Sequence, residues 1–72
     1  MSNDEELLKK IGLNIAIKRK SKSLSQMQLA EICDLNFNYI SKIELGKANF
    51  SISVLLKVAK GLDTCVSDFF KF

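Results

Sequence analysis

Residues 24–62 read LSQMQLAEICDLNFNYISKIELGKANFSISVLLKVAKGL, and three helix starts can be picked out of them. Ser25 followed three residues later by Gln28 is a capping box, in which each side chain satisfies the other's orphan backbone N–H. It opens a helix that carries Leu29, Ala30 and Cys33 inward. Asp34 and Leu35 make a turn, and Asn36 caps the next helix, Phe37 to about Leu45, with Ile40 and Ile43 on its buried side. Gly46 then supplies the left-handed residue that stops it. Ser51 caps a further helix whose Leu55, Val58, Ala59 and Leu62 recur at helical spacing.

On the N-terminal side a longer helix is expected from Asp4 to Lys20. Asp4 would cap it, and Glu5 and Glu6 suit its positive end. Leu8, Ile11 and Ile15 form its apolar stripe, Leu7 widens the stripe, and Ile17 falls off it. Gly12 costs about 1 kcal/mol against alanine inside a helix, which a close helix crossing would justify. On the C-terminal side a short helix is expected from Val66 to Lys71, carrying Phe69 and Phe70, with Phe72 just beyond. There is no proline and no strand signal. The expectation is an all-α, five-helix domain spanning residues 1–72.

A chain of 72 residues holds one small core and little else. It has no histidine, which removes the commonest general base and any zinc site completed by imidazole. No glycine loop cradles a phosphate, so an enzyme is not expected, and neither is a metal or a cofactor. The two cysteines, Cys33 and Cys65, lie far apart in sequence and read as buried reduced thiols. The opening MSNDEE is acidic and unlike a signal peptide, and no apolar run is long enough to span a membrane, so a cytoplasmic location is expected. Charge is uneven. Lys9 to Lys60 hold ten basic residues against three acids, Glu31, Asp34 and Glu44, while the other acids sit at the two ends. A basic body suits a polyanion, although lysines on a solvated helix face would give the same count.

Two short helices on either side of a tight turn, Gln26–Cys33 and Phe37–Leu45, match a helix-turn-helix unit, here within about residues 25–45. The residues go further. Ser25-Gln26, Leu29-Ala30, Tyr39-Ile40-Ser41, Ile43-Glu44, Gly46-Lys47, and Leu55 with Ala59 resemble the pattern of Cro/cI-type (XRE) helix-turn-helix regulators. The resemblance runs from about Ile11 to Phe70, and the short length with Tyr-Ile-Ser resembles restriction-modification controller proteins. It implies a sequence-specific DNA-binding transcriptional regulator that reads operator half-sites in the major groove as a homodimer. The departures are Asp34 where the turn usually has glycine, Phe50 where proline is frequent, and Lys18 and Ile17 in exchanged polar and apolar places. Phe37 stands where controller-like relatives tend to carry a basic residue.

On that resemblance the second helix of the unit lies in the major groove. Asn38, Ser41 and Lys42 would meet base edges, asparagine suiting adenine and lysine guanine, or else phosphate and water. Phe37 would pack on a thymine methyl or, alternatively, within its own domain. Gln26 would meet the DNA backbone or else only cap or solvate its helix, Tyr39 would be half-buried with its hydroxyl directed at a phosphate, and Asn36, Lys47 and Asn49 would meet the backbone as well. Arg19 and Glu44 would form the family's structural ion pair, joining the first helix to the end of the reading helix. The dimer would be built on the C-terminal end, residues 62–72, from Val66, Phe69, Phe70 and Phe72. One or two of those rings would complete the core and the rest would face a partner. The residues point to no particular contact with RNA polymerase. The rival reading is an antitoxin or protein-interaction module using the same bundle. Such an antitoxin would often carry a blocking tail, and this sequence stops soon after Phe70.

Overall fold

The computed structural model describes residues 3–72. Four α-helices are present: α1 Asn3–Ser21, α2 Gln26–Cys33, α3 Phe37–Glu44 and α4 Ile52–Gly61. A 3-10 turn, Val66–Phe70, closes the chain, and no strand occurs among the described residues. The expected fifth α-helix is therefore this single 3-10 turn, ending at Phe70. Five residues with no side-chain cap on Cys65 are too few to maintain an α-helical ladder, and i→i+3 bonding is the usual outcome. Asp4 lies inside the first turn of α1 with Glu5 and Glu6, not at its cap, where all three favour the positive helix end.

The caps follow from the side chains. Ser25 Oγ accepts from the Gln28 N–H at 3.0 Å, and Gln28 Oε1 accepts from the Ser25 N–H at 2.8 Å, a complete capping box. Asn36 Oδ1 accepts from the Asn38 N–H at 2.8 Å, and Ser51 Oγ from the Val54 N–H at 3.1 Å. Asp34 ends α2 in the left-handed region, φ 55° and ψ 45°, and the following Leu35 N–H returns to the Ala30 carbonyl at 2.9 Å.

The helices enclose one core of twelve buried apolar residues, in which Leu29 and Phe69 have no solvent exposure. α1 packs on α3 and on the closing turn, α2 on α3 and α4. Gly12 marks the crossing of α1 over the end of α3. A β-carbon there would collide with the Ile43 carbonyl oxygen and lie 2.7 Å from that of Glu44. Gly46, at φ +74°, brings the corner after α3 against the backbone of Lys9. Phe50, in the place where proline is frequent, is half-buried and packs on the core.

The closing turn is held from α1. Asn14 Nδ2 donates to the carbonyls of Phe69 at 2.9 Å and Lys71 at 3.2 Å. Lys18 lies 3.9 Å from the Asp68 carboxylate, which gives this lysine a partner in a place where an apolar residue is usual. Asp68 also bonds Lys71 at 2.8 Å and Thr64 at 2.5 Å. Those two hydrogen bonds, the lysine's foremost, hold its carboxyl at about pKa 2. Cys33 is buried, with its thiol pushed up by desolvation, whereas Cys65 is exposed, contrary to the expectation of two buried thiols. Cys65 precedes the turn and contributes nothing to its packed face.

Candidate nucleic-acid interface

α3 presents two unlike faces. Ile40, Ile43 and Glu44 are buried, and the helix is strongly amphipathic. On the other side Phe37, Asn38, Ser41 and Lys42 fall at spacings of one, four and five, which places them on a common outward surface. Phe37 is 40% exposed, Asn38 and Lys42 are exposed, and Ser41 is half-buried. Ser41 thus sits at the rim of the face and not on its crest.

The orientation of α3 is set by a buried ion pair. Arg19 Nε donates to Glu44 Oε2 at 2.6 Å, and Arg19 Nη2 donates to Glu44 Oε1 at 3.0 Å. The fork of the guanidinium matches the two carboxylate oxygens, a geometry lysine cannot reproduce. Arg19 Nη1 donates in addition to the Leu24 carbonyl at 2.7 Å. Both charges are almost wholly withdrawn from solvent, with side-chain exposures of 9% and 5%. No buried side-chain nitrogen or oxygen among the described residues lacks a partner.

Around this frame the residues expected at the DNA backbone divide. Lys47 and Asn49 are exposed in the corner between α3 and α4. Gln26 is half-buried at the start of α2, and its Nε2 donates to Glu44 Oε1 at 2.9 Å. Asn36 uses its side-chain oxygen as the α3 cap, leaving its amide nitrogen outward. Tyr39 directs its single hydroxyl proton to the Asn49 carbonyl at 3.1 Å, so in this structure it ties α3 to the corner. At the C-terminal end Phe69 is a core residue with no exposed surface, which removes it from any interface. It belongs to the core cluster, on the turn that packs against α1 and α4. Val66 is half-buried, while Phe70 is 44% and Phe72 65% exposed. Their rings lie 6.4 Å apart, with the Lys10 ammonium 5.5 Å from the centre of the Phe72 ring.

Two contacts escape a reading of the sequence. The Gln26–Glu44 bond joins residues eighteen apart and has no local signature. Asn14 left only a faint one, a polar residue placed between Ile11 and Ile15 at the edge of the buried stripe.

Two short helices joined through a left-handed residue, the second amphipathic and held by caps at its start and an ion pair at its end, constitute a helix-turn-helix domain. The chain belongs to the helix-turn-helix family, whose sequence profile matches residues 15–67. It is 40% identical to the control protein C.BamHI of Bacillus amyloliquefaciens over 73 aligned positions, covering 100% of this chain and 88% of that one. It is 42% identical to the control protein C.SmaI of Serratia marcescens over 53 residues, 74% of this chain but only 63% of that protein. Among solved structures, the restriction-modification controller protein C.AhdI from Aeromonas hydrophila superposes with a TM-score of 0.86 at 35% identity, covering 88% of this chain and 96% of that one. No helix among the described residues is long and apolar enough to cross a membrane.

Proposed function

We propose that this chain is a DNA-binding transcriptional regulator of the restriction-modification controller type, acting in the cytoplasm and without enzymatic activity. It reads operator half-sites in the major groove as a symmetric dimer. The observation that carries the reading is the outward face of α3. Phe37, Asn38 and Lys42 stand free on a helix whose opposite face is locked to α1 by the Arg19–Glu44 pair. The body behind it is basic, ten Lys/Arg against three acids between Lys9 and Lys60, which suits neutralisation of phosphates. The likeness to C.BamHI along the whole chain supports the controller reading.

In this reading Asn38 and Lys42 bond base edges, Phe37 lies against a thymine methyl, and Ser41 approaches from the rim. Lys47, Asn49, Gln26 and the outward amide of Asn36 meet the backbone and set the register. Val66, Phe70 and Phe72 lie at the dimer contact. A single module reads few bases, whereas two on a two-fold axis read half-sites about 34 Å apart.

The test is selection of bound sequences from a random duplex pool, followed by Asn38→Ala and Lys42→Ala on the selected site. Each variant is expected to lose roughly 1–3 kcal/mol of specific binding with unchanged helicity. Equal binding by both variants and the parent would assign the reading face elsewhere. A chain that binds no duplex at low salt would favour the protein-interaction reading.

A further inference from the structure

We infer that Phe37 reads the C5-methyl group of a pyrimidine as such, so that cytosine methylated at C5 stands in for thymine and unmethylated cytosine does not. Occupancy of a site with cytosine at that position then follows its methylation. The inference deepens the DNA-binding reading above and rests on it. Phe37 is the first residue of α3, at the end of the reading helix that meets base edges. It is 40% exposed. It belongs neither to the core cluster nor to the half-buried side chains packed on that cluster, which include Leu35 and Tyr39 on either side of it. Among the described residues its ring has no aromatic and no cationic neighbour, such contacts being made by Phe70, Phe72 and Lys10.

The ring is held in this place by the cap. Asn36 Oδ1 accepts from the Asn38 N–H at 2.8 Å, and the Asn36 carbonyl accepts from the Ile40 N–H at 3.1 Å, which fixes the backbone on both sides of Phe37. Ser41, one turn further along the same edge of the face, is small and half-buried. Phe37 is thus the apolar feature of a polar surface.

A phenyl ring offers a base edge no hydrogen-bond donor or acceptor. What it selects is an apolar group, and the major groove presents one, the methyl at C5 of thymine. A methyl at C5 of cytosine projects into the groove from the same ring position. The two bases differ in the group beside it, an acceptor O4 in thymine and a donor N4 amine in cytosine. Asn38, exposed next to Phe37, carries an amide that both donates and accepts, so it answers either group. The methyl is then what the two accepted bases have in common. Withdrawing one methyl group from water strengthens binding about fourfold. Unlike a phosphate contact, this gain releases no counterion and is independent of salt.

The experiment takes the selected site and replaces each thymine in turn by uracil, which removes the methyl alone. One position per half-site is expected to weaken the parent about fourfold, by the same ratio at low and high salt. At that position cytosine and 5-methylcytosine, each paired with guanine, are then compared. The methylated base is expected to bind about fourfold more tightly than the plain one. In Phe37→Ala both differences vanish, while binding to mixed duplex is unchanged. Circular dichroism and thermal melting check folding, and should Phe37→Ala unfold, Phe37→Gln, which keeps the reach and ends in a polar group, takes its place. Three results overturn the proposal while leaving the DNA-binding reading intact: uracil tolerated by the parent at every thymine, 5-methylcytosine no better than cytosine at the sensitive position, or methyl differences that persist in a folded Phe37 variant. A parent that binds no duplex overturns the DNA-binding reading, and the proposal with it.

Discussion

Arg19 and Glu44 are the residues on which the orientation of α3 depends most directly. An arginine and a glutamate withdrawn from water are tolerable only because each is matched: two bonds within the pair, one to Leu24 and one from Gln26. Removing one partner leaves the other charged, buried and unmatched. Glu44→Ala is therefore expected to cost about 3 kcal/mol of folding stability, several times the effect of an exposed substitution on the same helix. Thermal and urea unfolding measure it, and an unchanged midpoint would place the energetic importance of the pair at nil. The residue types and their spacing indicated the pair through likeness to a family, because nothing local links positions twenty-five apart. The third member, Gln26, has no such signature, since a glutamine at a helix start suits a phosphate, a cap or solvent and gives no hint of a carboxylate reaching it from α3.

At the scale of the element, α2 and α3 were legible nearly to the residue. Their caps are local devices: Ser25 with Gln28, Asn36 with the Asn38 N–H, and a left-handed residue between the helices. Local devices survive without tertiary context, so they can be read from a string. Asp34 holds that left-handed position at φ 55°. The conformation crowds a β-carbon and costs an ordinary L-residue about 1–2 kcal/mol, part of which aspartate recovers. Asp34→Gly is expected to raise stability by about 0.5–1 kcal/mol, the relief of crowding exceeding the extra freedom of the unfolded chain. A melting temperature that falls would show that the carboxylate contributes more at this turn than its backbone strain takes away. The closing turn was less legible. Three phenylalanines in the last four residues announce burial without saying which ring is buried, because a 3-10 turn and an α-helix aim successive side chains differently. Phe69 is the one that turned inward, held by the bonds from Asn14 to the carbonyls beside it.

For the whole molecule, the consequence is an apolar surface at one end. Phe70 and Phe72 are exposed, and α1 contributes Leu13 and Ile17, each 57% exposed, from the helix that carries Lys10 and Asn14. Aromatic groups clustered in this way are typical of contact surfaces. If the dimer forms there, Phe70→Ala together with Phe72→Ala lowers the association constant by more than tenfold, since each buried ring contributes about 1.5–3 kcal/mol. Sedimentation across micromolar concentrations measures this. A parent that stays at 8.1 kDa while binding its site tightly would refute the dimer, and an association constant untouched in the double variant would move the contact to Leu13 and Ile17. Phe69 stays out of the test because its loss would open the core.

The hold of Asn14 on the carbonyls of Phe69 and Lys71 joins positions fifty-five and fifty-seven apart. A ribosome delivers these partners in order. α2 and α3 leave it with their caps already encoded, yet the core stays incomplete until residue 69 emerges. Loop closure over so long a separation is the slow part of folding a small helical chain. Until residue 69 has emerged, a nascent chain therefore carries the caps of α2 and α3 without a closed core behind them.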